Sequence, residues 1–253
     1  MLTLHKPDSV FSLRHVPSWL MLCFAAGAVN ATSMLACSRY VTHVTGTVTR
    51  IGAEVVHLKL MLDFALVLAC FIAGAFAAGV LLHGSFHRGK RPPFALPLWA
   101  AAAIVALVAL MGHGGWLGPF GGGVDELGDF LHLCALGFAM GLQNAAVATS
   151  TGQLVRTTHL TGPATDLGVH LADLLVADGA SRELARRHAA LRAGKIASYA
   201  VGAAVAAALC AKLAYLTLLV PALVIGLANA LSFAPLAHDQ RRALTGGSSL
   251  PST

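Results

Sequence analysis

Charge is what this chain has least of. Asp, Glu, Lys and Arg make up 11% of its residues against 57% apolar ones, well below the roughly 25% charged residues of soluble domains. So few charges cannot cover a water-facing surface, which excludes an ordinary soluble globule and points to lipid as the solvent. Aromatic residues are 7%, and no arginine cluster is interleaved with them. The net charge of +6 is therefore not the footprint of a nucleic-acid binder. Cys23, Cys37, Cys70, Cys134 and Cys210 lie in apolar stretches without any C-x-x-C pair. An odd, dispersed set excludes a disulfide framework and a zinc site, and reads as small packing residues. There is no G-x-S-x-G, no H-E-x-x-H and no phosphate-binding loop. No enzyme, cofactor or bound metal is expected on these grounds.

What the chain does have occurs twice. Residues 42–52 read T-H-V-T-G-T-V-T-R-I-G, and residues 158–168 read T-H-L-T-G-P-A-T-D-L-G, identical at six of eleven positions. A G-x-x-N-A motif precedes each copy: Gly27, Asn30 and Ala31 in the first, Gly141, Asn144 and Ala145 in the second. Two repeats on one plan are expected, 16–111 and 128–232. They are flanked by an N-terminal tail (1–15), a Gly-rich linker (112–127) and a disordered C-terminal tail (233–253). The paired G-x-x-N-A and H-x-T-G segments, with M-G-L-Q-N-A at 140–145 and V-R-T-T-H-L-T-G at 155–162, resemble the YoaK-like family of bacterial integral membrane proteins. That family is a domain of unknown function. Its pattern continues the first T-G with asparagine, where this chain has Thr47. The resemblance implies a bacterial membrane protein and supplies no reaction.

Stretches with little or no formal charge place the spans at 17–38, 60–82, 95–112, 129–150, 195–212 and 213–232. The first residues imitate a signal peptide, but the apolar run continues to Cys37, and cleavage near Ala28 would cut the first repeat. Residues 179–194 read as a short basic surface helix. Lys195 and Lys212 bound a 16-residue charge-free core and are expected to snorkel outward. With six spans and both ends inside, twelve Lys and Arg fall on the inner side and four on the outer, as the positive-inside rule requires. Making the two T-H-x-T-G segments full spans would spoil that bias. The expected fold is therefore all-α and polytopic, with about six transmembrane helices and two partial, broken ones. Three spans per repeat is an odd number, so the repeats are inverted. The protein is placed in the bacterial inner membrane with both termini cytoplasmic.

The repeated segment carries the candidate chemistry. Thr161 or Gly162 can cap a helix with Pro163 at its first position, and Thr45 and Gly46 can do the same in the first copy. A helix over 163–177 rises about 22 Å, short of a hydrocarbon core of about 30 Å. Each T-H-x-T-G then marks a break within the membrane, leaving free N–H groups at a helix N-terminus. Such an end lines a cavity or is buried in protein, and it favours an anion or a polar solute group. His43 and His159 beside these ends can donate to a solute or relay a proton, or bond a backbone carbonyl structurally. Asn30, Gln143 and Asn144 are expected to line the site; the alternative is that neighbouring threonines with Asn30 and Asn144 satisfy the broken amides and only knit the bundle together.

Beyond each break, Arg50, Glu54 and His57 share one helix face, and Asp166, His170 and Asp173 share the matching one. Their characters swap between repeats, so Arg50 is expected to pair with Asp166 across a pseudo-twofold axis. The alternative is that each face meets headgroups at its own surface. The leading reading is a small-solute transporter or channel-like permease for an unknown solute, with an anionic one among the candidates. Its site lies between the repeats and uses Asn30, His43, Thr45, Gly46, Gln143, Asn144, His159, Thr161 and Gly162. A membrane scaffold or partner-binding subunit is the second reading and an intramembrane enzyme the third. Gly74, Gly79 and Gly202 permit close helix contacts within or between chains, so a homo-oligomer is allowed; the bilayer itself is the one partner required.

Overall fold

The computed structural model describes residues 2–122 and 127–233. Asp125, Glu126 and the tail from residue 234, read above as disordered, lie outside the described residues. Among the described residues there is no strand, and the chain is an all-α, multi-pass membrane protein. A single turn, α1 (Pro7–Val10), precedes α2 (Val16–Cys37), α3 (Val44–Ala53), α4 (Leu58–His87) and α5 (Ala95–His113). The second half holds α6 (Leu127–Ser150), α7 (Thr161–Val176), α8 (Gly179–Leu213), a 3₁₀ turn (Ala214–Leu218) and α9 (Leu219–Ser232).

Among the described residues, five segments are long and apolar enough to cross a membrane, and the last of them, Gly179–Ser232, is 54 residues. At 1.5 Å per residue it is roughly 80 Å of helix, too much for a single crossing of a core of about 30 Å. Ala214, with φ of 46°, breaks it into α8 and α9. The basic stretch 179–194 is not a separate surface helix. It is the start of α8, continuous with the span.

Named contacts fix the direction of every helix. Ser33 meets His132 and Cys37 meets Asp129, so α2 and α6 are antiparallel. Leu20 meets Gly194 and Thr32 meets Cys210, so α2 and α8 are parallel. Gly137 faces Val67 and Gly141 faces Phe71, so α4 and α6 are parallel. Asn229 bonds Ala95 and Tyr215 packs on Gly112, so α5 and α9 are antiparallel. Ser232 at the end of α9 bonds His15 and Ser18 at the start of α2. Among the described residues, six helices thus cross the bundle, each running opposite to its counterpart in the other half. Residue 233 and the N-terminal segment share one end.

Four glycines set the tightest crossings, and each follows an aromatic residue by three positions: Phe24–Gly27, Phe71–Gly74, Phe138–Gly141 and Tyr199–Gly202. A Cβ on Gly27 would strike the carbonyl oxygen of Tyr199, and one on Gly202 that of Phe24. Gly74 and Phe138, and Gly141 and Phe71, are related in the same reciprocal way. Without a side chain the backbones approach within van der Waals reach, the main source of helix affinity where lipid is as apolar as leucine. The packing is swapped between halves: α2 lies against α8 and α9, and α6 against α4 and α5.

Candidate functional site

The two breaks begin with a chain reversal. After Cys37 the chain turns back until the N–H groups of Val41 and Thr42 reach the Asn30 side chain, each donating to its Oδ1 at 3.0 Å. Asn30 is seven residues before the end of α2, so the break is re-entrant by about 10 Å. The second half does the same after Ser150. The N–H groups of Thr157 and Thr158 donate to Asn144 Oδ1 at 3.0 and 3.4 Å. Each asparagine therefore replaces the water that an unpaired backbone would require.

From these depths α3 and α7 return to the ends they came from. At roughly 15 and 24 Å neither spans a core of about 30 Å. Their N-caps are His43 and Leu160, without a side-chain cap. The expected threonine caps do not form, and Pro163 takes the third helical position rather than the first. Thr47 instead bonds the His43 carbonyl oxygen at 3.0 Å. The N–H groups of Thr45, Gly46, Thr161 and Gly162 have no acceptor among the described residues. The glycine of each motif has a steric reason. A Cβ on Gly46 would overlap the His43 ring, and one on Gly162 would meet the His159 ring. Histidine folds over the first turn of its own helix, and only glycine three residues on leaves room.

Both breaks line one cavity of about 640 Å³. Asn30, His43 and Thr45 meet Asn144, His159 and Thr161 there, with Tyr40, Thr42, Val44, Phe71, Arg156, Thr158, Leu160 and Tyr199 completing the wall. The Tyr199 and Thr42 hydroxyls are 3.2 Å apart. Among the described residues the wall holds no carboxylate and one formal charge, Arg156; that guanidinium also donates to Gln153 Oε1 at 3.0 Å. Two helix N-termini, each worth about half a positive charge, add to it. A second pocket of about 400 Å³ lies beyond Tyr40 and His43, and Arg39, Gly46, Thr47 and Arg50 contribute to its wall. Tyr40 and His43 stand between the two spaces, their rings 5.8 Å apart at 76°.

Some expected residues fall elsewhere. Gln143 is buried away from the cavity and donates to Leu22 O at 3.1 Å and Thr157 Oγ1 at 3.0 Å. Gly46 and Gly162 sit under the histidines and outside the central wall. The Arg50–Asp166 pair does not form. Arg50 bonds Glu54 at 3.1 Å, His57 bonds the same carboxylate at 3.1 Å, and His170 lies 3.6 Å from Asp173. Asp166 is taken by Arg192 of α8 at 3.1 Å. The reason is direction: α3 and α7 start together and diverge toward opposite ends, so matched positions along them separate. Lys195 does not snorkel either; it is 1% exposed. Sequence reasoning missed Tyr40, Phe71 and Tyr199. It counted Arg156 only as a topological charge, although it stands three residues before His159 within the quoted motif.

Among the described residues no three His, Cys, Asp or Glu side chains are grouped to hold a metal. The family described as "Protein of unknown function (DUF1275)" matches residues 18–231, in agreement with the resemblance to YoaK-like proteins. No curated protein and no solved structure matches the chain. The chain belongs to the DUF1275 family.

Proposed function

We propose that this DUF1275 protein is a small-solute permease of the bacterial inner membrane, built as two inverted repeats with its site in the cavity the two breaks share. One observation carries the reading. Two re-entrant segments, far apart in sequence and entering from opposite ends, open their unpaired helix N-termini into one polar space of about 640 Å³. Peptide groups without partners are costly at this depth, and a cavity that holds a solute or water removes that cost. Discontinuous helices meeting at the middle of the bundle are the common plan of solute carriers. His43 and His159 are the side chains able to donate to the solute or pass a proton. The end bearing Arg14, Arg88, Arg91, Arg156 and Arg192 is cytoplasmic, which puts both termini inside.

Proteoliposomes screened for solute uptake with and without a pH gradient test this. Wild type takes up at least one small polar solute, and His159→Ala lowers that uptake while leaving the folded fraction unchanged. A cavity impermeable to every solute and to water, with equal leak in empty vesicles, would leave a partner-binding scaffold as the reading to pursue.

A further inference from the structure

Lys195 is the least expected residue in the bundle. It sits on the spanning part of α8, is 1% exposed, and makes no hydrogen bond or ion pair among the described residues. The ionisable groups close enough to act on it are Cys23, Arg192, Asp166 and Arg156. Asp166, the one carboxylate among them, is already bonded to Arg192 at 3.1 Å. Arg192 also donates to Leu154 O at 3.3 Å. Asp166 thus acts on Lys195 only past Arg192; neither Lys195 nor Arg156 has a carboxylate in direct contact among the described residues, and Arg156 is on the cavity wall. Buried ammonium groups in membranes are rare because isolation there is so unfavourable, and those that persist are matched by a partner.

Packing does not require a lysine at this position. Tyr199 and Gly202 at the α2–α8 crossing correspond to Phe71 and Gly74 at the α4–α6 crossing. In that register the residue four before the aromatic is Lys195 in one half and Val67 in the other. Val67 is 4% exposed, so the same architecture seats a valine there. The charge is an addition to the second half. It is not itself in the cavity wall, but it is close enough to the wall residues Arg156 and His159 to act on both.

From this we infer that the cavity takes a small anion, with Arg156 and the α7 N-terminus as its contacts and Lys195 as the buried charge beneath that makes the site anion-selective. The inference rests on the permease reading for its transport arm, and on binding alone for its second arm. Nitrate and formate are compact enough for the space, and either supplies the missing counter-charge.

The test uses the full chain in proteoliposomes and in detergent. Flux of nitrate and formate is compared with that of urea, glycerol and methylammonium by vesicle swelling. Nitrate- and formate-dependent thermal shifts are read in parallel. Wild type should carry the anions fastest and be stabilised by them. Lys195→Val should lower anion flux at least tenfold and abolish the shift, Lys195→Arg should keep most of both, and Arg156→Gln serves if the valine variant does not fold. Flux of neutral or cationic solutes without anions overturns the anion assignment while the permease reading survives. Absence of all flux removes the permease reading. The anion site then stands if the shifts occur and depend on Lys195 or Arg156, and falls if they are missing or unchanged in the variants.

Discussion

Replacing Gly74 by alanine adds one methyl group where α4 crosses α6, at a point already occupied. The new Cβ would overlap the carbonyl oxygen of Phe138. That oxygen belongs to a helix backbone and cannot rotate away, so the two helices must separate. Gly79, on the same helix five residues later, has nothing within 4 Å of its added Cβ, which makes it the control. Alanine exceeds glycine in helix propensity by about 1 kcal/mol, and that gain is common to both positions. Overpacking a tight contact costs about 1–3 kcal/mol, and that cost falls on Gly74 alone. The difference in unfolding free energy between Gly74→Ala and Gly79→Ala should therefore be about 1–3 kcal/mol, with Gly79→Ala as stable as wild type or more so. Denaturant unfolding in detergent, followed by helical circular dichroism, reads it. Gly27→Ala, Gly141→Ala and Gly202→Ala should behave like Gly74→Ala. Equal stability of the Gly74 and Gly79 variants would refute the claim that backbone contact at these crossings holds the bundle together.

Asn30→Ala strands the N–H groups of Val41 and Thr42; at about 1–3 kcal/mol for each unsatisfied buried group, a loss of about 2–6 kcal/mol is expected in the same unfolding assay. A loss under about 0.5 kcal/mol would mean the break is not held by that side chain. Asp166→Ala should lower stability more than Glu54→Ala, because Arg192 is buried and Arg50 is not. Arg50→Asp combined with Asp166→Arg should show no rescue; recovery would restore the pairing across the halves. His5 packs edge-on against Trp19 and His15 in the N-terminal segment, and burial, then the neighbouring His15, lowers its pKa to about 4. The ordinary value is about 6.5, so the docked segment favours neutral imidazole. Docking is complete above pH 6.5, weakens as the pH falls toward 4, and is level below that. Emission from Trp19, with Trp99 and Trp116 replaced by phenylalanine, should shift to the red between pH 6.5 and 4, and not in His5→Gln. A shift confined to pH below 4, or one that persists in His5→Gln, contradicts the assignment.

The parts legible in sequence were those that repeat a pattern or avoid charge. Charge-free intervals marked the spans because lipid excludes charge along a helix whatever its neighbours are. T-H-x-T-G marked the breaks because each residue answers a local demand, histidine over the first turn and glycine beneath its ring. Long-range partners were less legible. The aromatic-x-x-Gly pairs read as ordinary apolar sequence, since nothing local says that Gly27 faces Tyr199. A lysine at the edge of an apolar interval looks free to snorkel until α2 covers it, as happens to Lys195. Arg50 and Asp166 match by position, but matched residues meet only near an axis, and helices that diverge from the axis carry theirs apart.

The packing also decides which parts can move as units. Two sequence halves rocking against each other would have to shear the α2–α8 and α4–α6 crossings, where backbones touch. In the permease proposed above, the division that spares those crossings puts α3 to α6 in one body and α2 with α7, α8 and α9 in the other. Between them run the contacts of α5 with α9 and with the 3₁₀ turn, the Tyr215–Gly118 hydrogen bond at 2.8 Å, and the polar contacts of α2 with α6, including Ser33–His132 at 3.3 Å. The chain passes from one body to the other at two places only among the described residues, and these are the two breaks. In the permease proposed above, the motif that lines the cavity would also be the hinge, with Asn30 and Asn144 securing it from a helix. A crosslink within one body should leave solute flux intact, and one between bodies should stop it. In a chain with the five native cysteines replaced, Leu20→Cys with Gly194→Cys tests the first case, since these positions face each other across α2 and α8. Trp99→Cys with Gly226→Cys, across α5 and α9, tests the second. Full flux through the α5–α9 crosslinked protein would show that transport needs no movement between these bodies, and the cavity would then act as a fixed pore.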